Sequence, residues 1–99
     1  MGIDDWRTEI DSIDNELLRL INRRAEFAVS VGMFKQQAGL PLCDRDRERE
    51  VLERAQRINH GPLDDQAVAK IFRRNIYESR RIQTAAEGIP ELRREEGVR

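Results

Sequence analysis

One cysteine, one histidine and one tryptophan in 99 residues leave little material for several kinds of chemistry. Cys43 has no second thiol to meet, so an intramolecular disulfide is excluded, and with His60 alone it cannot assemble a zinc site. No apolar run is long enough to span a bilayer. The N-terminus Met1-Gly2-Ile3-Asp4-Asp5 lacks the basic region and the apolar run of a signal peptide. Gly2 invites a myristoylation reading, but Trp6 stands where serine or threonine is wanted. An excess of one charge is missing too. Eighteen Lys and Arg against nineteen Asp and Glu, interspersed, argue against nucleic acid or an anionic membrane as the main partner. The expected compartment is the cytoplasm. Strand alternation, internal repeats and a second domain are all absent from the pattern.

What is present is helical. With 38% hydrophobic and 37% charged residues, the chain suits one small domain with a modest core, so help from a second chain is expected. Helix 1 is expected from Asp4 or Asp5 to about Gln37, with early acids suiting its N-terminal dipole and Gly39 supplying a stop. At ~1.5 Å per residue it is roughly 50 Å long, whereas a compact chain of this size has a radius of gyration of about 12 to 13 Å. Such a helix overhangs its own globule, and an intertwined dimer resolves the mismatch. Gly32 inside it costs up to about 1 kcal/mol relative to Ala and reads as a mark of close packing. After the linker from Ala38 to Cys43, Asp44 is the expected N-cap of a second helix ending near Ile58, with Val51, Leu52, Ala55 and Ile58 as its apolar residues. Asn59-His60-Gly61-Pro62 is a break. Helix 3 is expected from Leu63 or Asp64 to about Ala86, carrying Val68, Ile71, Phe72, Ile76 and Ile82. The fold class is therefore all-α, with a helical domain over 1–87 and a charged tail over 88–99 that is expected to fray.

The first helix carries an anomaly. Arg7, Asp14, Ile21, Ala28 and Lys35 form one heptad row and Ile10, Leu17, Arg24 and Val31 the other, so three cations fall on a stripe that faces a partner. Buried cations are costly unless paired or hydrogen-bonded, and Asp14 offsets only part of this charge. Carboxylates or an anionic ligand should meet the rest; alternatively, Arg7 and Lys35 snorkel to solvent and Arg24 forms an ordinary ion pair. Helix 2 turns a carboxylate inward as well. Glu48 lies four residues before Leu52 and seven before Ala55, with Asp44 one turn earlier and Arg47 beside it. On helix 3, Ser79 follows Phe72 by seven residues and Gln83 follows Ile76 by seven. Taken singly, Ser79 and Gln83 read as satisfied core polars, and Glu48 as an ion-pair partner of Arg24. Taken together, the set is richer in cations than one buried glutamate balances, and it fits a pocket for a small polyanion with a hydroxyl. There is no Ser-His-Asp or Cys-His set, no phosphate-cradling glycine loop, no metal cluster and no paired acid and base. Neither metal nor cofactor is expected, and any reaction here depends on positioning and electrostatics.

These residues resemble a known family. Arg7-x-x-Ile10-x-x-Ile13-Asp14, the Arg23-Arg24 pair, Val31-Gly32-x-x-Lys35, Leu40-Pro41-x-x-Asp44-x-x-Arg47-Glu48, Gly61-Pro62-Leu63, Ile71-Phe72 and Ser79-x-x-x-Gln83 are similar to the all-helical AroQ class of chorismate mutases over roughly residues 5–85. The resemblance implies a domain-swapped homodimer in which two long first helices cross and each active site borrows an arginine from the other subunit. It implies that Arg24 and the partner subunit's Arg7 bind the carboxylates of chorismate, supported by Ser79 and Arg47. Lys35 and Gln83 would contact the ether oxygen whose bond breaks, while Glu48 and the backbone N–H of Asp44 clamp the ring hydroxyl. Arg23, off the seam, is expected to face solvent. The implied activity is the Claisen rearrangement of chorismate to prephenate, at the branch of the shikimate pathway toward phenylalanine and tyrosine, without covalent or acid-base catalysis.

Several positions depart from this pattern or stay outside it. Asn75 lies on the inward stripe of helix 3 where relatives usually carry an aliphatic residue; it reads as a hydrogen-bonded buried polar group, a residue at a dimer boundary or a selectivity determinant. Trp6 is expected to pack the helix end, and Cys43 and His60 to be solvated. The enzymatic rival is isochorismate-pyruvate lyase, which shares the fold and a related cationic pocket; Glu48 within Asp44-x-x-Arg47-Glu48 favours the mutase. The other rival is a noncatalytic helical dimer, whose cations form interhelical ion pairs. Members of that family occur alone or fused to prephenate dehydratase, prephenate dehydrogenase or a synthase; 99 residues leave no room for such a domain, so the chain, taken as the natural protein, is expected to be a monofunctional enzyme, open to regulation by a pathway enzyme in trans.

Overall fold

Gly39 ends the first helix because its backbone turns left-handed there, at φ 70° and ψ 23°, a conformation that side chains disfavour. Its N–H donates to the Gln36 carbonyl at 3.2 Å, and the Leu40 N–H closes on the Lys35 carbonyl at 2.8 Å. The computed structural model describes residues 1–88. Within them are three helices, α1 (Ile3–Ala38), α2 (Arg45–Ile58) and α3 (Asp65–Gly88), and no strand. None of these helices is long and apolar enough to cross a membrane.

Each of the other helix starts has a carboxylate cap. Asp44 accepts from the Arg47 N–H at 3.0 Å, as its place before α2 predicts. Asp64 accepts from the Ala67 N–H at 2.7 Å, so it caps α3, which begins at Asp65, one residue after the later of the two expected starts. The break between α2 and α3 is tied by Asn59, whose Nδ2 donates to Leu63 O at 2.8 Å and whose Oδ1 accepts from the Gly61 N–H at 3.1 Å. Helix boundaries otherwise differ from expectation by one or two residues, the usual extent of end fraying. The expected tail overlaps α3 at Gly88, and its remaining residues 89–99 lie outside the described ones.

Because α3 packs on both α1 and α2, it positions the other two helices relative to each other. The core at these contacts is small: Val29, Ala55 and Ala69 are the buried apolar side chains. At 36 residues α1 is ~54 Å long, which matches the 53 Å longest dimension, and the radius of gyration is 16.6 Å. The overhang expected from the sequence is thus real. Every residue from 1 to 23 is exposed, including Ile10, Ile13 and Leu17, which are 50 to 61% accessible. Some of the expected packing is not found within the single chain, and Ile58 at the end of α2 is exposed. Trp6 does not pack the helix end, and Ile71 and Ile82 are exposed rather than interior.

Candidate active site

The C-terminal third of α1 supplies one wall of a cleft of about 290 Å³. Arg24, Ala28, Val31 and Lys35 follow one another at helical spacing along this wall. From α2 and its cap come Asp44, Arg47 and Glu48, and from α3 come Ser79, Arg80 and Gln83. Leu42, on the linker, closes one end. Seven of the eight residues singled out in the sequence therefore meet in one place. Arg7 does not, since it is exposed 17 residues before Arg24, about 25 Å away along the helix axis.

Arg24 is held but not neutralised. Its Nη1 donates to Ser79 Oγ at 3.1 Å, and among the described residues no carboxylate pairs with it. Burial, and then the nearby positive charge of Arg47, hold its pKa below the ordinary arginine value. Lys35 likewise makes no ion pair among the described residues; its Nζ donates weakly to the Leu42 carbonyl at 3.4 Å. Between them Gln83 donates through Nε2 to the Ala28 carbonyl at 2.6 Å, which fixes the amide against α1. That approach depends on Gly32, because a Cβ at this position would stand 3.1 Å from Gln83 Cγ. The close packing read from Gly32 is thus found, and its partner is a polar residue of the cleft.

The α2 side is more fully paired. The Asp44 carboxylate is committed to its cap. Arg47 bonds Glu50 on an exposed stretch of α2. Glu48 does not pair with Arg24, one of the alternatives left open by its spacing; it bonds Arg80 of α3 instead. Neither the heptad pattern nor the family resemblance singles out Arg80. It follows Ser79 directly and so points off the inward stripe, and only the reach of the arginine side chain returns it to the cleft. Arg23 faces solvent over the Phe27 ring, 5.6 Å from its centroid. Cys43 and His60 are exposed, as expected. Asn75 lies one turn before Ser79 with its Oδ1 buried and without a hydrogen-bond partner.

The chorismate mutase type II profile matches residues 6–84, most of the chain and all of the cleft. The chain belongs to this family. It is 41% identical over 76 residues to a bifunctional chorismate mutase/prephenate dehydratase of Aquifex aeolicus, covering 73% of this chain and 21% of that protein. It is 33% identical over 78 residues to a chorismate mutase of Methanocaldococcus jannaschii, covering 78% of this chain and 79% of that one. The chain spans about a fifth of the length of the bifunctional relatives. Among solved structures, the chorismate mutase of Thermus thermophilus superposes with a TM-score of 0.81 at 30% identity, covering 83% of this chain and 93% of that one. The Helicobacter pylori chorismate mutase in complex with prephenate superposes with a TM-score of 0.80 at 29% identity, covering 87% and 93%.

Proposed function

We propose that residues 1–87 form a chorismate mutase domain that acts as a homodimer, converting chorismate to prephenate in the cytoplasm. The observation that carries this reading is the pair of cations without carboxylate partners, Arg24 and Lys35, on one wall of the cleft with the Gln83 amide fixed between them. A desolvated cation without a counterion destabilises the empty protein and binds an anion in proportion. A dicarboxylate supplies the missing charge.

In the rearrangement the C–O bond breaks ahead of C–C formation, so negative charge grows on the enolpyruvyl fragment. Lys35 and Gln83, held at its ether oxygen, bind this charge more tightly in the transition state than in the ground state. Each has donor capacity left: Lys35 spends one N–H on Leu42 O, and Gln83 one on Ala28 O. Arg24, oriented by Ser79, takes a carboxylate and helps hold the compact chair. Arg47 reaches the same ligand by exchanging its exposed bond to Glu50, a pair worth little in water. With the Asp44 side chain occupied by its cap, the backbone N–H is the part of Asp44 left for the ring hydroxyl, opposite Glu48. No proton transfer or covalent intermediate is required.

The dimer reading rests on the naked half of α1. Fully burying one large aliphatic side chain is worth roughly 1.5 to 3 kcal/mol, and several such residues are about half accessible between Ile3 and Ile21. A second copy laid along this stripe buries them and brings the partner subunit's Arg7 toward a cleft that its own chain leaves about 25 Å away.

The test is to incubate the purified protein with chorismate and, separately, isochorismate, following substrate loss by absorbance and identifying the products. Prephenate formed from chorismate without an added cofactor is the expected result. Pyruvate and salicylate from isochorismate would make it a lyase, and no reaction with either would leave a binding module.

A further inference from the structure

Among the described residues, the Glu48–Arg80 ion pair is the one contact in the cleft that joins α2 to α3 through charged side chains, and it stands at a boundary. On one side lies the cleft with Arg24 and Lys35; on the other lies a second recess of about 210 Å³ between Leu52, Arg73 and Tyr77. Glu48, Arg80 and Ile76 line both, so they form the wall between them. The pair is partly sheltered, with side chains 39% and 29% accessible, whereas the local Arg–Glu pairs on the helix surfaces each have at least one partner 58% or more exposed.

Without Arg80, two things change around Glu48. Its carboxylate, the anion expected to accept from the ring hydroxyl, would be free to rotate into the second recess and away from the substrate. It would also lose its ion-pair partner, leaving its charge less fully offset against a dianionic ligand. An arginine fork that holds one carboxylate oxygen leaves the other oxygen's lone pairs aimed at the cleft. We propose that Arg80 is a positioning residue for Glu48: it fixes the acceptor for the substrate's ring hydroxyl and closes the cleft wall, without touching the reacting atoms itself. This rests on the mutase reading, in which Glu48 meets that hydroxyl. The expected consequence is kinetic. A misaimed Glu48 fails to select the reactive ring conformer, so turnover falls more than substrate affinity.

The deciding experiment is a double-mutant cycle on chorismate turnover, using the wild type, Arg80→Gln, Glu48→Gln and the double variant, with Arg80→Lys as the conservative replacement. Circular dichroism of each variant establishes that it is folded. Arg80→Gln is expected to lose roughly tenfold or more in kcat with a smaller change in KM, and Arg80→Lys to recover part of that loss, because a lysine keeps the charge but not the fork. In the Glu48→Gln background, Arg80→Gln should change kcat by less than about twofold, since the group it positions is gone. Equal fold-losses in both backgrounds, or wild-type kcat in Arg80→Gln, would overturn the proposal while leaving the mutase reading intact. A folded wild type that leaves chorismate unchanged would instead overturn the mutase reading, and this proposal with it.

Discussion

Replacing Gly32 with alanine sets two measurable effects against each other. In a helix interior the change is worth about 0.8 to 1 kcal/mol of stability through backbone entropy alone, and nothing in the local backbone opposes it, since among the described residues positive φ occurs only at Gly39 and Gly61. Against this stands space. The new methyl would meet Gln83 Cγ at 3.1 Å, Gln83 Cβ at 3.3 Å and Leu42 Cδ1 at 3.4 Å. Overpacking of this kind typically costs ~1 to 3 kcal/mol. Leu42 sits on the linker and can retreat, but Gln83 is tied at both ends: Cβ to the backbone of α3, and Nε2 to the Ala28 carbonyl at 2.6 Å. Relief therefore requires a shift of α3 by a few tenths of an ångström or loss of that hydrogen bond. The two contributions partly cancel in stability, and a net destabilisation of about 1 kcal/mol is expected in urea unfolding followed by circular dichroism. They do not cancel in the rate. A displacement on the order of 1 Å costs ~100-fold in a positioned reaction, so a partial displacement of the Gln83 amide should lower kcat roughly tenfold in the chorismate absorbance assay. Wild-type kcat together with the full ~1 kcal/mol helix gain would refute the reasoning, because Gln83 would then have moved aside at no cost.

Lys35→Ala and Arg24→Ala should each lose at least a hundredfold in turnover, about the 3 to 4 kcal/mol that one preorganised electrostatic donor contributes; wild-type-like rates from either would remove it from the site. Arg24→Met should keep or raise the melting temperature of the unliganded protein. The folded environment lowers the Arg24 pKa through burial and Arg47, so at any pH below that pKa its cationic form subtracts from stability and removing it relieves the cost; a fall of several degrees in a thermal melt would contradict this. Because Gln83 carries no titrating group, kcat should stay level through neutral pH, and a rate that collapses between about pH 6 and 8 would point to an acid-base step instead. Mixing Arg7→Ala with Lys35→Ala protein under exchange conditions should regain about a quarter of wild-type activity, since half of randomly paired dimers are mixed and each then carries one intact site; no recovery would mean that Arg7 acts in its own chain or not at all.

The parts of the fold legible in the sequence are those set by local chemistry. Gly39 stops α1 and Asp44 caps α2 because their conformational and hydrogen-bonding preferences act within a few residues. The inward set was legible for a related reason. Arg24, Lys35, Glu48, Ser79 and Gln83 lie on stripes whose spacing follows helical geometry, and residues on the inner stripes of packed helices converge. Arg80 escapes this logic because periodicity reports where a Cβ points, not where a long side chain ends. The ion-pair partner of Glu48 also depends on how α2 lies against α3, which no single helix encodes. The apolar seam of α1 is readable as a pattern, but what covers it is not, because all of the first 23 residues are exposed in the single chain.

That missing partner and the unpaired cations belong to one problem. Among the described residues only Val29, Ala55 and Ala69 are buried apolar side chains, and inner-stripe positions where an aliphatic residue would enlarge this core are given to Arg24, Gln83, Ser79 and Glu48. Each such position forgoes the contribution of an aliphatic side chain, and Arg24 adds a desolvation cost. A single chain of this kind has little margin over its conformational entropy. The apolar half of α1 is the largest remaining source of burial, and it is usable only against another molecule. If a second copy fills it, the interface that restores stability also carries the partner subunit's Arg7 toward the cleft, so assembly and catalysis share the same residues. A monomeric variant would then lose its fold and its substrate carboxylate site together, rather than persist as a slower enzyme.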